Sequence, residues 1–265
     1  MASVTPNRLR WGALSWLLTL QFFVVETIAQ LRYDGSYSRV DDVISDLGTA
    51  DSAAHQLMNA SFVVQAALIV GGALLLRPAL LRGAGQAVPV LLTLSGIGVL
   101  LVGVFPSDEH SALHGTGAIL YLAGGALGLI ALAYAVRPRS ELLGSTLALL
   151  GLIGAAATVF FVTGVTEYLG EGGTERAAAY VLPIGLAIAG AALWRLAGPG
   201  AGDRPDRRAE RELARAQREE RARERDAALE AAARRSTAPA VADAEDQDED
   251  PDADPWSTPV PRRGE

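Results

Sequence analysis

The chain alternates between long blocks almost without charge and short polar segments. Six apolar blocks stand out, at residues 11–29, 59–76, 88–105, 113–136, 142–165 and 177–196. A helix needs about 20 apolar residues to cross a hydrocarbon core of roughly 30 Å, and each block is long enough to do so with some tilt. The pattern predicts an all-α, polytopic membrane protein: a six-transmembrane-helix bundle over residues 11–197, preceded by a short N-terminus over 1–10. Arg8 and Arg10 ahead of the first block, with Thr27, Ile28 and Ala29 as a small-residue cleavage site, also fit a signal peptide. The block is longer than the usual signal core of about 7 to 15 residues, so it is read as a helix.

Beyond residue 197 the character changes. Residues 198–236 are rich in Ala, Glu and Arg, good helix formers, and Glu219 with Arg223 has the favourable i,i+4 order, which predicts a solvated charged helix. Residues 237–265 combine prolines with an acidic run and have too little apolar surface to fold, so they are expected to be disordered.

Arginine placement orients the bundle. Arg8 and Arg10 precede the first block, Arg77 and Arg82 follow the second, Arg137 and Arg139 follow the fourth, and Arg195 closes the sixth. These are alternate connections, and the positive-inside rule makes that side cytoplasmic, with both termini inside. Trp11 and Trp194 then mark the inner interface, and Tyr33, Tyr168 and Tyr180 the outer one. Acids and all three histidines collect on the outer face, where arginine is scarce. Within the blocks the main polar groups are Glu26, Gln21 and Gln65. Glu26 is read as reaching the outer interface; facing the bundle interior, it would be a functional candidate. Small residues at helical spacing, Gly124 with Gly128, Gly151 with Ala155, Gly96 with Gly103, and the pair Gly71 and Gly72, predict close helix packing. Residues 170–173, Gly-Glu-Gly-Gly, read as a flexible loop.

Composition narrows the chemistry. There is no cysteine, which excludes disulfides and thiolate metal sites, and all 23 basic residues are arginine, which points to a GC-rich bacterial gene. The net charge of −7 resides mainly in the acidic tail. The Arg-rich stretch is nearly balanced by acids and carries no docking motif, so nucleic acid is not an expected partner.

Three stretches carry a resemblance: "SDLG" at 45–48, with Asn59 opening the second block; "GVFPSDEHSALHGTGA" at 103–118; and "GTER" at 173–176. Together they resemble the bacterial integral-membrane family called domain of unknown function 998 and, more distantly, the Frag1/DRAM/Sfk1 type of six-helix protein. The likeness covers about residues 10–197. It implies a six-helix bundle without an assigned activity, with distant relatives associated with lipid handling and membrane organisation. The matched positions are Ser45, Asp46, Gly48, Asn59, Phe105, Pro106, His114 and Arg176.

The polar members of that set, Ser45, Asp46, Asn59, His114 and Arg176, fall at one bilayer depth and could meet in one pocket on the outer face. Arg176 would pair with Glu175 or Asp46, or hold an anionic headgroup. His55, His110 and His114, with Asp46, have the residue types of a zinc site that could activate water. The leading expectation is a non-catalytic protein of the bacterial plasma membrane that binds lipid headgroups or a membrane protein through the outer cluster, with no cofactor. The alternative is a metal-dependent membrane hydrolase using the histidines. A small-solute transporter is disfavoured, because mid-membrane ionisable residues and broken helices are what ion-coupled carriers usually show.

The orientation is testable in a chain with no native cysteine. Ala112→Cys should react with an impermeant maleimide on intact cells, and Pro138→Cys only after permeabilisation; the reverse pattern would invert the topology.

Overall fold

The computed structural model describes residues 5–80, 82–196 and 207–236. They form α1 (Pro6–Leu18), α2 (Gln21–Gln30), a 3-10 turn (Ile44–Gly48), α3 (His55–Leu76), α4 (Arg82–Val104), α5 (Ser111–Val136), α6 (Glu141–Thr163), α7 (Glu171–Ala179), α8 (Val181–Leu196) and α9 (Arg207–Ser236). The described residues form no strand, only one isolated bridge between Tyr33 and Ser52. Among the described residues six segments are long and apolar enough to cross a membrane: Pro6–Gln30, His55–Ala79, Gly85–Val104, Ser111–Val136, Glu141–Thr163 and Glu171–Arg195. The all-α, six-span reading is therefore correct. The spans start earlier than the apolar blocks where polar first turns, such as His55 to Met58, continue the helix.

Two spans are broken, each for a local reason. The first divides at Thr19 and Leu20, where the Thr19 hydroxyl donates to Trp16 O at 2.6 Å and to Pro183 O at 3.2 Å. The sixth divides at Tyr180, three residues before Pro183. Proline lacks the N–H that would bond the carbonyl four residues back, and the released Ala179 carbonyl instead accepts from the Tyr121 hydroxyl at 3.1 Å. The two breaks thus meet through Thr19 and Pro183. A cleavage at Ala29 would remove Ala13 and Trp16, both fully buried in the bundle, Trp16 with its Nε1 directed at Ile69 O.

Lipid is as apolar as leucine, so close backbone approach and interhelical hydrogen bonds hold such a bundle. α4 and α5 come closest: a Cβ on Gly98 would lie 2.4 Å from Tyr121 N, and one on Gly117 would lie 2.7 Å from Gly98 O. Ser95 reinforces the pair by donating to Tyr121 O at 2.9 Å. Gly72 lies against Trp16, Gly96 against Val70, Gly103 against Asn59 O, Gly124 against Ser95, Gly128 against Leu92, and Gly151 against Ile130, so these glycines are contact surfaces as expected. A Cβ on Gly71 would meet none of the described residues within 4 Å. Residues 170–173 are not a loose loop: Gly170, at φ +74°, caps α7, and the other three residues form its first turn.

Cap residues 31–54 and the α4–α5 and α6–α7 connections share one end of the bundle, and Arg77, Arg137, Arg139 and Arg195 mark the other. At that arginine end the Arg139 guanidinium donates to Ala79 O, and Trp11 and Trp194 are exposed. Helix α9, a separate unit, is exposed over residues 213–234, with Arg215–Glu219 and Glu230–Arg234 pairs at 3.7 and 3.8 Å. Glu219 thus reaches back one turn to Arg215 instead of forward to Arg223. The expectation for 237–265 lies outside the described residues.

Gly98→Leu should lower the melting temperature in detergent sharply, since the side chain has no room and overpacking costs about 1–3 kcal/mol or more. Gly71→Ala, in open space within a helix, should be neutral or slightly stabilising. Equal melting of both variants would remove backbone proximity as the organising contact.

Candidate functional site

The connection between the first two spans folds into a cap. Its two ends pair, with Asp34 N–H donating to Asp51 O at 2.8 Å and Ala53 N–H to Arg32 O at 2.9 Å. The 3-10 turn then inserts Ile44 and Leu47 into the bundle, where both are buried. Asn59, in the first turns of α3, donates from Nδ2 to Gly48 O at 2.9 Å and so fixes the end of this turn. A Cβ on Gly48 would lie 2.4 Å from Asn59 Oδ1, so the glycine permits that bond. On the other side the cap backbone rests on α7: Gly173 N–H donates to Val40 O at 3.0 Å, and a Cβ on Gly172 would lie 2.1 Å from Asp42 O.

Beneath this contact sits a buried charge cluster. Glu26 on α2 is fully buried. Its Oε1 accepts from Arg176 Nε at 3.1 Å and from Arg39 Nη2 at 3.2 Å, and the Tyr180 hydroxyl lies 2.7 and 2.6 Å from its two oxygens. Arg176 also donates from Nη1 to the carbonyls of Asp42 at 2.8 Å, Arg39 at 2.9 Å and Gly172 at 3.1 Å. Its Nη2 donates to the Tyr37 hydroxyl, which itself donates to Val43 O at 2.9 Å. One planar guanidinium therefore neutralises a buried carboxylate and ties down three backbone carbonyls, two of them in the cap. Burial pushes the Tyr37 phenol above its ordinary range, against the opposing pull of Arg176. Burial likewise raises the carboxyl of Asp46, which a backbone hydrogen bond at Val43 partly offsets.

Under the cap lies a cavity of about 30 Å³, measured as the space open to the centre of a water molecule. Phe22, Ile44, Phe62, Val99, Val102 and Leu122 form most of its apolar wall, and its polar lining is Ser45, Gln65, His114, Tyr121 and Glu175. Three of these polar groups are oriented by bonds to backbone. The Ile44 N–H donates to Glu175 Oε2, and the Tyr121 hydroxyl donates to Ala179 O. His114 Nδ1 lies 2.9 Å from Phe105 O; a carbonyl only accepts, so Nδ1 carries the proton and Nε2 is the atom left for an occupant.

Gln65 is oriented by side chains. Gln21 Nε2 donates to Ser61 O at 3.3 Å, which fixes the Gln21 amide because that carbonyl cannot donate. The same Nε2 donates to Gln65 Oε1 at 3.3 Å. Gln65 Nε2, buried with the rest of its side chain, has no partner among the described residues.

The chain matches the family described as "Protein of unknown function (DUF998)" over residues 17–193. It is a DUF998 protein. The matched region contains the cap, the charge cluster and the cavity, and leaves α9 outside. No curated protein and no solved structure matches the chain.

In this DUF998 bundle the five cluster residues expected from the sequence all lie at the cap end, but not in one pocket. Ser45 and His114 line the cavity, Asn59 holds the cap turn, Asp46 sits half-buried in that turn, and Arg176 belongs to the charge cluster. Arg176 pairs with Glu26, not with Glu175 or Asp46, because Glu26 is a fully buried carboxylate that needs a cation. Glu26 accordingly faces the bundle and does not reach the interface.

The histidines are not brought together. His55 Nδ1 lies 2.7 Å from Ser52 O, and the His110 ring packs edge-on to Phe105 with centroids 5.4 Å apart. No group of three or more His, Asp or Glu side chains suited to a metal occurs among the described residues, so the zinc set of His55, His110, His114 and Asp46 is not assembled. The sequence reading missed the site roles of Arg39, Tyr37, Tyr180 and Glu175. An ionisable residue inside an apolar block, Glu26, was the one available signal for the cluster.

Removing either partner of the buried pair leaves an uncompensated charge. Glu26→Ala and Arg176→Ala should each destabilise the protein by about 3–5 kcal/mol in detergent melts. Replacing both, Glu26→Leu with Arg176→Met, should recover much of the melting temperature while leaving residues 31–54 open to protease, because the carbonyls of Arg39 and Asp42 stay untied.

Proposed function

We propose that this DUF998 protein is a non-catalytic lipid-binding protein of the bacterial plasma membrane, with both termini cytoplasmic and the capped cavity at the outer leaflet. The observation that carries the reading is Gln65: a buried amide donor without a partner, lining a mostly apolar cavity under a tied-down cap. A buried donor left unpaired costs about 1–3 kcal/mol, so a conformation that keeps one favours an occupant that accepts its hydrogen bond. Apolar walls with a few convergent polar groups favour an amphiphile as that occupant. Arginines at the end opposite the cap support the orientation.

Protein purified in mild detergent should retain one amphiphile per chain in native mass spectrometry. Gln65→Leu, which removes the donor at similar volume, should raise the dissociation constant about tenfold, as one lost hydrogen bond of about 1.4 kcal/mol would. Ala118→Phe, which fills the cavity, should abolish retention in protein that still elutes as a folded species. Wild type without bound lipid, or variants equal to it, would overturn the reading.

A further inference from the structure

The polar inventory of the cavity goes further than "lipid", and the inference that follows rests on the lipid-binding reading above. Among the described residues no arginine lines the cavity, and the chain has no lysine. Arg176, the cation nearest in sequence to the lining residue Glu175, is committed to Glu26, to Tyr37 and to three backbone carbonyls. Arg39 is likewise bound to Glu26 and Tyr180. An anionic head entering the cavity would face Glu175 with no cation in the wall to offset it, and uncompensated charge is strongly disfavoured at this depth.

What the wall offers is a complementary set for a neutral group. Gln65 belongs to that wall, and its Nε2 is a donor with no partner among the described residues. Glu175 has one oxygen on Ile44 N–H and the other available as an acceptor. His114, with Nδ1 on Phe105 O, and Tyr121, with its proton on Ala179 O, present further acceptor atoms. A hydroxyl is the smallest group that both accepts from an amide and donates to a carboxylate.

Most of the remaining wall is apolar. Phe22, Phe62, Val99 and Val102 then receive the beginning of an apolar stem.

We propose that the cavity is a site for the hydroxyl head of an uncharged lipid alcohol, long-chain, isoprenoid or polycyclic, held between the Gln65 amide and the Glu175 carboxyl. The class excludes fatty acids and phospholipid headgroups.

Three probes of one chain length separate the possibilities: 1-dodecanol, dodecanoic acid and dodecyl methyl ether. Each is titrated into the full-length protein in detergent at about pH 8, where a free carboxylic acid is ionised, with binding read by native mass spectrometry and thermal shift. The alcohol should bind at least tenfold more tightly than the acid, which adds a charge, and than the ether, which has no hydrogen to donate. Gln65→Leu should weaken the alcohol. Glu175→Gln keeps an acceptor for Ile44 N–H and removes the charge, so the acid should gain on the alcohol by about tenfold. If the acid or the ether binds wild type as tightly as the alcohol, the hydroxyl assignment fails while the lipid-binding reading stands. If no probe binds and no native amphiphile is retained, the lipid-binding reading fails and this inference with it.

Discussion

A carboxylate enclosed in a lipid-embedded bundle needs a cation, and the end of this protein that carries the cap is organised around that need. Glu26 lies on the second half of a broken span and Arg176 on the first half of another, 150 residues away in the chain. Their ion pair joins the two half-helices. Because Arg176 also holds the carbonyls of Arg39 and Asp42, the same contact fastens the cap. Arg39 and the Tyr180 hydroxyl complete the coordination of Glu26, so the carboxylate is surrounded by donors from α2's neighbours and from the cap itself. Such a pair contributes less to net stability than its distances suggest, since both ions lose hydration; its effect is to make one arrangement of these segments far better than any other.

The broken spans and the glycines explain why the cluster forms at this end. Pro183 removes a helix hydrogen bond and Thr19 diverts another, so the chain divides at two heights that touch. The released Ala179 carbonyl is taken by Tyr121, which brings α5 into the cavity wall. Gly170, Gly172 and Gly173 leave α7 bare on one side, and the cap backbone lies directly on it. A side chain at position 172 would hold the cap away and separate Arg176 from Asp42 O.

Consecutive helix residues point about 100° apart, a consequence of 3.6 residues per turn, and this divides the work of two neighbours on α7. Arg176 turns to Glu26 and the cap carbonyls, whereas Glu175 turns under the cap, accepts from Ile44 N–H and lines the cavity. Cap and cavity are therefore joined through one carboxyl. An occupant that bonds to Glu175 touches the group that holds the cap turn in place, so loading and cap position share a contact.

Six spans and the all-α class were legible from the residues alone, because hydropathy acts locally: each block must be helical and apolar wherever its neighbours lie. Of the packing glycines, 96 and 124 were legible as small residues at helical spacing; Gly98, Gly117 and the breaks at Thr19 and Pro183 emerged only from the structure. The charge partner of Arg176 was not legible. Glu175 and Asp46 were nearer in sequence or in the expected loop, and nothing in the local pattern shows that α2 and α7 become neighbours. The histidines illustrate the converse: suitable residue types at one bilayer depth, each satisfied by a backbone carbonyl or an aromatic ring instead of by one another. Sequence determined which segments enter the bilayer, because that depends on the composition of each segment. Tertiary structure decided which buried polar groups found partners and which one, the Gln65 amide, did not, because that depends on distances between helices far apart in the chain.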